Sequence, residues 1–235
     1  HPFTLNEAEQ YYHEQGIDLD RYAPMQLYMM LGGIPYYMSY VRRGDSVEQT
    51  TANLFIGQGA KLNDELEQLF ASLFTNHQDC MKVMRVLAGR KTGYTRREIA
   101  EKAGLPYGGG LSETLKALDA SDFIQRYTYY GLPSKEERYR LIDFFSLFAL
   151  TDLEKQTSPD ADVWKGRFDK RIMDAWYGFA FESLCWNHIA QMKKALGISA
   201  VNTTEFSWKA EATDEYPGAQ IDLIIRRADR VINLC

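Results

Sequence analysis

The eighteen residues from Gly218 to Cys235, GAQIDLIIRRADRVINLC, constrain the fold more than any other stretch of this chain. Ala219 to Ile225 is apolar and rich in β-branched residues, with one carboxylate, Asp222, set within it. Arg226 to Arg230 is a polar turn, and Val231 to Cys235 opens a second apolar run. Two such runs across a short polar turn predict a β-hairpin. An unpaired carboxylate in a buried strand is costly to desolvate, so Asp222 is expected to bind something. The second strand stops in mid-run, which suggests that the natural chain continues past Cys235.

The rest of the chain reads as helix. Thr4 precedes Glu7 at capping-box spacing and predicts a helix over 4–16, closed by Gly16. Pro24 opens a second helix over 24–31, which Gly32-Gly33 stops. A further helix starts at Ile34-Pro35 and runs to Val41, and helices follow over 46–56 and 62–74. Next come an amphipathic helix over 77–91, a capped one over 95–103 and another over 110–120. Residues 122–130 alternate as a strand, and 136–142 pairs with it across the turn Gly131-Leu132-Pro133-Ser134. An apolar helix covers 143–155, a linker 156–163 and a long helix 169–196. Strands are expected over 199–209 and 219–235.

Composition narrows the classes of function. At 235 residues the chain holds one large domain or a few small ones. Its 45% hydrophobic and 25% charged residues are ordinary for a folded protein. No apolar run approaches a bilayer span and no signal peptide is visible, although the chain begins at His1, so its start is expected upstream. Three distant cysteines, odd in number, point to a reducing, cytoplasmic setting rather than a disulfide framework. Net charge is −5 overall but −6 over 1–75, +4 over 76–142 and −3 over 143–235. Only the middle segment has the sign of a nucleic-acid binder.

That middle segment, three helices followed by a two-stranded wing, has the winged helix-turn-helix pattern. Its expected recognition helix, 110–120, would offer Ser112, Thr114 and Lys116 to double-stranded DNA, beside Glu113 and Asp119. Arg96, Arg97, Arg126, Arg138 and Arg140 would contact the phosphate backbone. The competing reading packs this module on its neighbours or on a protein partner.

Glu182, within GFAFESLCWNHI, is the second carboxylate of interest. A helix Glu and a strand Asp brought together can hold Mg²⁺ through oxygen, and a nearby lysine could activate a water for phosphodiester attack. The order Glu182, then Asp222, then a turn and a strand resembles the restriction-endonuclease-like, PD-(D/E)xK family. The Glu-x-Lys that completes that motif would fall directly after Cys235. The bland alternative makes Glu182 a surface residue and Asp222 a capped hairpin residue. Three other features are discounted. Cys185 with His188, and His77 with Cys80, are too few ligands for zinc. Gly57-Gln58-Gly59 and Gly108-Gly109-Gly110 lack the sequence of a phosphate-binding loop. No Ser/His/Asp or Cys/His triad can be placed by spacing.

End to end, the chain resembles the C-terminal part of the archaeal-type AAA+ ATPases found in archaea and bacteria. HPFTLNEAEQYY, the Gly32-Gly33-Ile34-Pro35 turn, ERYRLIDFFSLF, GFAFE and GAQIDLIIRRADRVINLC carry the likeness in that order. The resemblance implies a mainly α fold with α+β parts: a helical AAA+ lid over 1–60, a winged helix over 61–155 and a truncated nuclease-like α/β domain over 156–235. It implies ATP and Mg²⁺ as cofactors of the parent protein. The P-loop domain is absent, so this piece is expected neither to hydrolyse ATP nor, without its lysine, to cut DNA. It also implies that Glu182 and Asp222 are the catalytic metal ligands. Expected partners are DNA, the missing P-loop domain and, through the open hairpin edge, a second copy, with no membrane. The alternative is a protein-interaction module of an ATP-controlled switch with no nuclease chemistry.

Overall fold

The computed structural model describes residues 2–56, 59–130, 137–153, 170–214 and 216–235. The expected turn 131–134 and linker 156–163 lie outside them, as do the ends of the strand over 136–142 and the helix over 143–155. The fold is mixed α+β, mostly helical, with two small antiparallel sheets.

In chain order the first helices are α1 (Leu5–Glu14), α2 (Ala23–Leu31), α3 (Pro35–Met38), α4 (Val47–Phe55), α5 (Glu65–Leu73) and α6 (His77–Ala88). Thr4 caps α1 reciprocally with Glu7, as its spacing predicts. The helix expected to reach Val41 stops at Met38 instead. Strand β1 (Tyr94–Thr95) then leads into α7 (Arg96–Ala103), followed by α8 (Gly109–Ala120), β2 (Ile124–Tyr127) and β3 (Arg138–Leu141). β3 lies between β1 and β2, so this sheet has a third strand that the alternation pattern did not reveal. β1 is too short to show a period.

The strand expected over 122–130 pairs with β3 only as far as Tyr127. Beyond it the backbone changes partner: Tyr129 bridges Ser207, and the Tyr130 N–H donates to the Ser207 carbonyl at 2.9 Å. Helix α9 (Phe144–Phe148) continues into a π-helical turn, Ala149–Leu153.

The expected long helix is two, α10 (Lys170–Asn187) and α11 (Ile189–Ala195). They part at His188, whose Nδ1 bonds the Leu184 carbonyl while Nε2 accepts the Leu5 N–H at 2.9 Å. The second sheet runs β4 (Thr203–Ala210), β5 (Ala219–Arg227) and β6 (Ile232–Leu234), with β5 central. The hairpin β5–β6 forms where expected. Arg230 takes a left-handed φ of 70° in its turn, and Asp229 binds the Arg227 guanidinium.

One hydrophobic core runs through α1 to α9 and into α10. It does not break near residue 60. Phe145 of α9 is fully buried between Tyr37 of α3, at 4.5 Å between ring centroids, and Phe55 of α4, at 6.1 Å. Met173, Trp176, Ala180 and Leu184 plant α10 in this same core. A second, small core of Trp186, Ile198, Leu223 and Ile225 lies under the other sheet. The last turn of α10 therefore belongs to both.

The Gly32-Gly33 turn has a packing explanation. Gly32 closes α2 in the left-handed conformation, and its N–H bonds the Tyr28 carbonyl. Gly33 has φ 66°, and a Cβ there would overlap the Phe3 carbonyl oxygen and the Tyr28 ring. The segment before α1 is tied down at this spot by Phe3 N–H to the Gly33 carbonyl at 2.7 Å. Gly33→Ala is expected to destabilise the protein by more than about 3 kcal/mol, strain and overlap combined. Gly44→Ala, at φ 84° in open space, adds strain alone, about 1 kcal/mol. Urea unfolding of the two variants measures the difference.

Candidate functional site

Glu182 and Asp222, forty residues apart in sequence, line one small cavity. Its walls come from three places: the loop after α6, the β2–β3 sheet, and α10 with β4 and β5. The space within is about 20 Å³, room for one water-sized occupant.

Glu182 lies one helical turn before Trp186, so both side chains leave the same face of α10. The Glu182 carboxylate is half-buried and receives the Lys91 ammonium at 2.5 Å. Asp222 is half-buried on β5. Its backbone carbonyl accepts two bonds, from the Trp186 indole N–H at 3.1 Å and the Ser207 hydroxyl at 2.9 Å. Its carboxylate accepts the Gln220 amide. These bonds fix the strand at Asp222 against α10 and β4.

The opposite wall is Arg140. Its side chain was expected to contact a DNA backbone from an exposed face, but the residue is only 6% exposed and lines the cavity instead. The guanidinium carbon lies 3.8 Å over the Trp186 ring and 5.1 Å from the Tyr127 ring centroid, and the Gln125 amide oxygen accepts from it. Burial pushes its pKa down to about 9. Tyr127 closes this wall with its hydroxyl donating to the Thr92 carbonyl at 2.6 Å.

Thr114 also leaves the expected DNA surface. It is 2% exposed, donates to the Gly110 carbonyl and accepts from Asn76. Ser112 and Lys116 are exposed on α8, beside exposed Glu113. Arg96 is half-buried, donates to the Gly108 carbonyl at 2.7 Å and stacks over Tyr107. Arg97 pairs with Glu101 at 3.5 Å. Arg126 is held by Asp119 at 3.0 Å and Glu137 at 3.8 Å. Arg138 reaches Glu98 at 3.5 Å and stacks on Tyr129. Arg90, Arg97, Arg126 and Arg138 are thus each paired with a carboxylate of the same segment.

Glu98 is the centre of that pairing. Burial opposes its charge, but the Thr95 N–H, the Arg90 guanidinium and the Thr95 hydroxyl outweigh it and draw its pKa down to about 2. A carboxylate with a depressed folded pKa stabilises the fold above its unfolded pKa and loses that contribution as pH falls through the folded value. Stability should therefore fall between the ordinary carboxylate range and about pH 2. Glu98→Gln should flatten that part of the stability–pH curve while lowering stability at neutral pH, as thermal melts across the range would measure.

Sequence reasoning found Glu182 and Asp222 but missed Lys91, Trp186, Ser207 and Gln220. Trp186 was detectable as the i+4 neighbour of Glu182. Lys91 was not, because a loop distant in sequence delivers it. Among the described residues, no group of three or more His, Cys, Asp and Glu is placed to hold a metal ion, and no helix is long and apolar enough to cross a membrane. Cys80 is buried, Cys185 half-buried and Cys235 exposed, and all are free thiols. No family model, curated protein or solved structure matches the chain.

Proposed function

We propose that this chain is the target-engaging C-terminal part of an AAA+-type ATPase: a helical lid, a winged helix and a restriction-endonuclease-like tail that binds nucleic acid. The observation that carries this reading is the meeting of Glu182 and Asp222 at one cavity with a lysine beside them. The three-strand order β1-β3-β2 behind helices α6 to α8 supports the winged helix. The hairpin register supports the tail, since the Cys235 N–H bonds the Leu223 carbonyl and so brings β6 alongside Asp222.

The donor set suits Mg²⁺ at its minimum. That ion takes one or two carboxylates, which Glu182 and Asp222 supply, and would complete its shell with water and substrate phosphate beyond this small cavity. Bound there, the ion would polarise a phosphodiester and activate a water. The protein's own residues have separate tasks. Trp186 and Ser207 hold the Asp222 backbone, so its carboxylate is aimed from a fixed strand. Lys91 neutralises Glu182 and thereby competes with any metal for it. Calorimetric titration with Mg²⁺ should give weak binding that is lost in Glu182→Gln and in Asp222→Asn. Lys91→Met should tighten it by roughly fivefold, the equivalent of about 1 kcal/mol. Binding that ignores both carboxyl variants would rule out the metal site.

With Lys91 committed to Glu182, the chain alone is expected to leave duplex DNA intact in Mg²⁺; nicking that both carboxyl variants abolish would contradict this. A second reading, a protein-binding regulatory module, is favoured by the pairing of Arg97, Arg126 and Arg138 with carboxylates. Duplex binding through phosphates weakens steeply with salt. A salt-independent or absent duplex affinity would favour the protein partner.

A further inference from the structure

Among the described residues, Arg140 has no anion of its own. Its neighbours are two aromatic faces and one amide oxygen, and its Nε–H is buried without an acceptor. Nearby cations are paired: Lys91 with Glu182, Arg90 and Arg138 with Glu98. The two carboxylates of the cavity are engaged elsewhere, Glu182 by Lys91 and Asp222 by Gln220. A buried guanidinium left uncompensated is expensive. Guanidinium groups bind phosphate and carboxylate oxygens strongly when desolvated. The cavity that Arg140 lines has room for one oxygen-sized occupant, and Thr92, Tyr129 and Ser183 also line it.

We infer that this cavity is a phosphate subsite, in which Arg140 takes a non-bridging oxygen of a nucleic-acid phosphate that lies across the mouth between β3 and β5. This rests on the nuclease-like reading of the tail, and it names Arg140 as the substrate-holding residue of that site. Trp186 is the positioning residue, since its ring carries the guanidinium and its indole N–H holds Asp222. No bond is made or broken in the step: one oxygen accepts from the Arg140 guanidinium.

The test follows the Arg140 Nε–H directly by ¹⁵N NMR in the intact chain, with the signal identified by its loss in Arg140→Lys. Inorganic phosphate and a short DNA duplex are titrated separately, both in EDTA. A downfield shift with both ligands is expected. Phosphate binding should weaken roughly ten- to a hundredfold in Arg140→Lys, as for a lost charge-assisted hydrogen bond. A signal that stays put at saturating phosphate overturns the subsite, a readout taken on the unsubstituted chain. Equal phosphate affinity in the variant overturns it too. A shift with phosphate but not with duplex overturns the nucleic-acid source and leaves a free phosphate. Mg²⁺ added afterwards separates the two readings. If the Glu182 and Asp222 carboxyl signals ignore the metal while Arg140 still responds to phosphate, the metal site falls and the subsite stands.

Discussion

Trp186 is the residue on which the arrangement of this protein depends. It closes the last turn of α10, whose earlier turns are sunk in the main hydrophobic core through Met173, Trp176, Ala180 and Leu184. Its own ring belongs to the second core, with Ile198, Leu223 and Ile225. Its indole N–H holds the backbone at Asp222, and its face carries Arg140 from the first sheet. One side chain thus couples a helix, two sheets and two cores. An aromatic ring suits this work because it offers a large apolar area, a face that attracts cations and a single directed donor.

The same joint sets the electrostatics of the cavity. Two cations, Lys91 and Arg140, face two carboxylates, Glu182 and Asp222, at the seam between the two sheets. Only one close ion pair forms among them, Lys91 with Glu182. The rest are balanced indirectly, by an amide at Asp222 and by aromatic faces at Arg140. Away from the cavity the picture is different. Arg90, Arg97, Arg126 and Arg138 are matched to carboxylates near them in the fold.

Much of the local structure was legible because it rests on short-range chemistry. Thr4 with Glu7 and Thr95 with Glu98 cap their helices at the spacing that the capping box demands. The β5–β6 hairpin follows from two apolar runs around Asp229 and Arg230. The misses share a different cause. Strand β1 is two residues long and carries no period. The strand through Tyr127 was expected to keep one partner, yet Tyr129 and Tyr130 turn to Ser207 in the other sheet. The long helix breaks at His188, where the ring accepts the Leu5 N–H from the far end of the chain. Each is a tertiary contact overriding a local preference.

By itself, then, the sequence determined the helices and their caps, the hairpin, and the candidacy of Glu182 and Asp222 as carboxylates held in apolar surroundings. Those follow from neighbours within a few positions along the chain. Tertiary structure alone decided that Lys91 neutralises Glu182, that Arg140 is buried against Trp186 rather than displayed, and that all four meet at one cavity. The physical reason is that a side chain's charge state and partners are set by what the folded backbone brings within a few ångströms. Lys91 lies 91 positions from Glu182, and Trp186 lies 36 from Asp222.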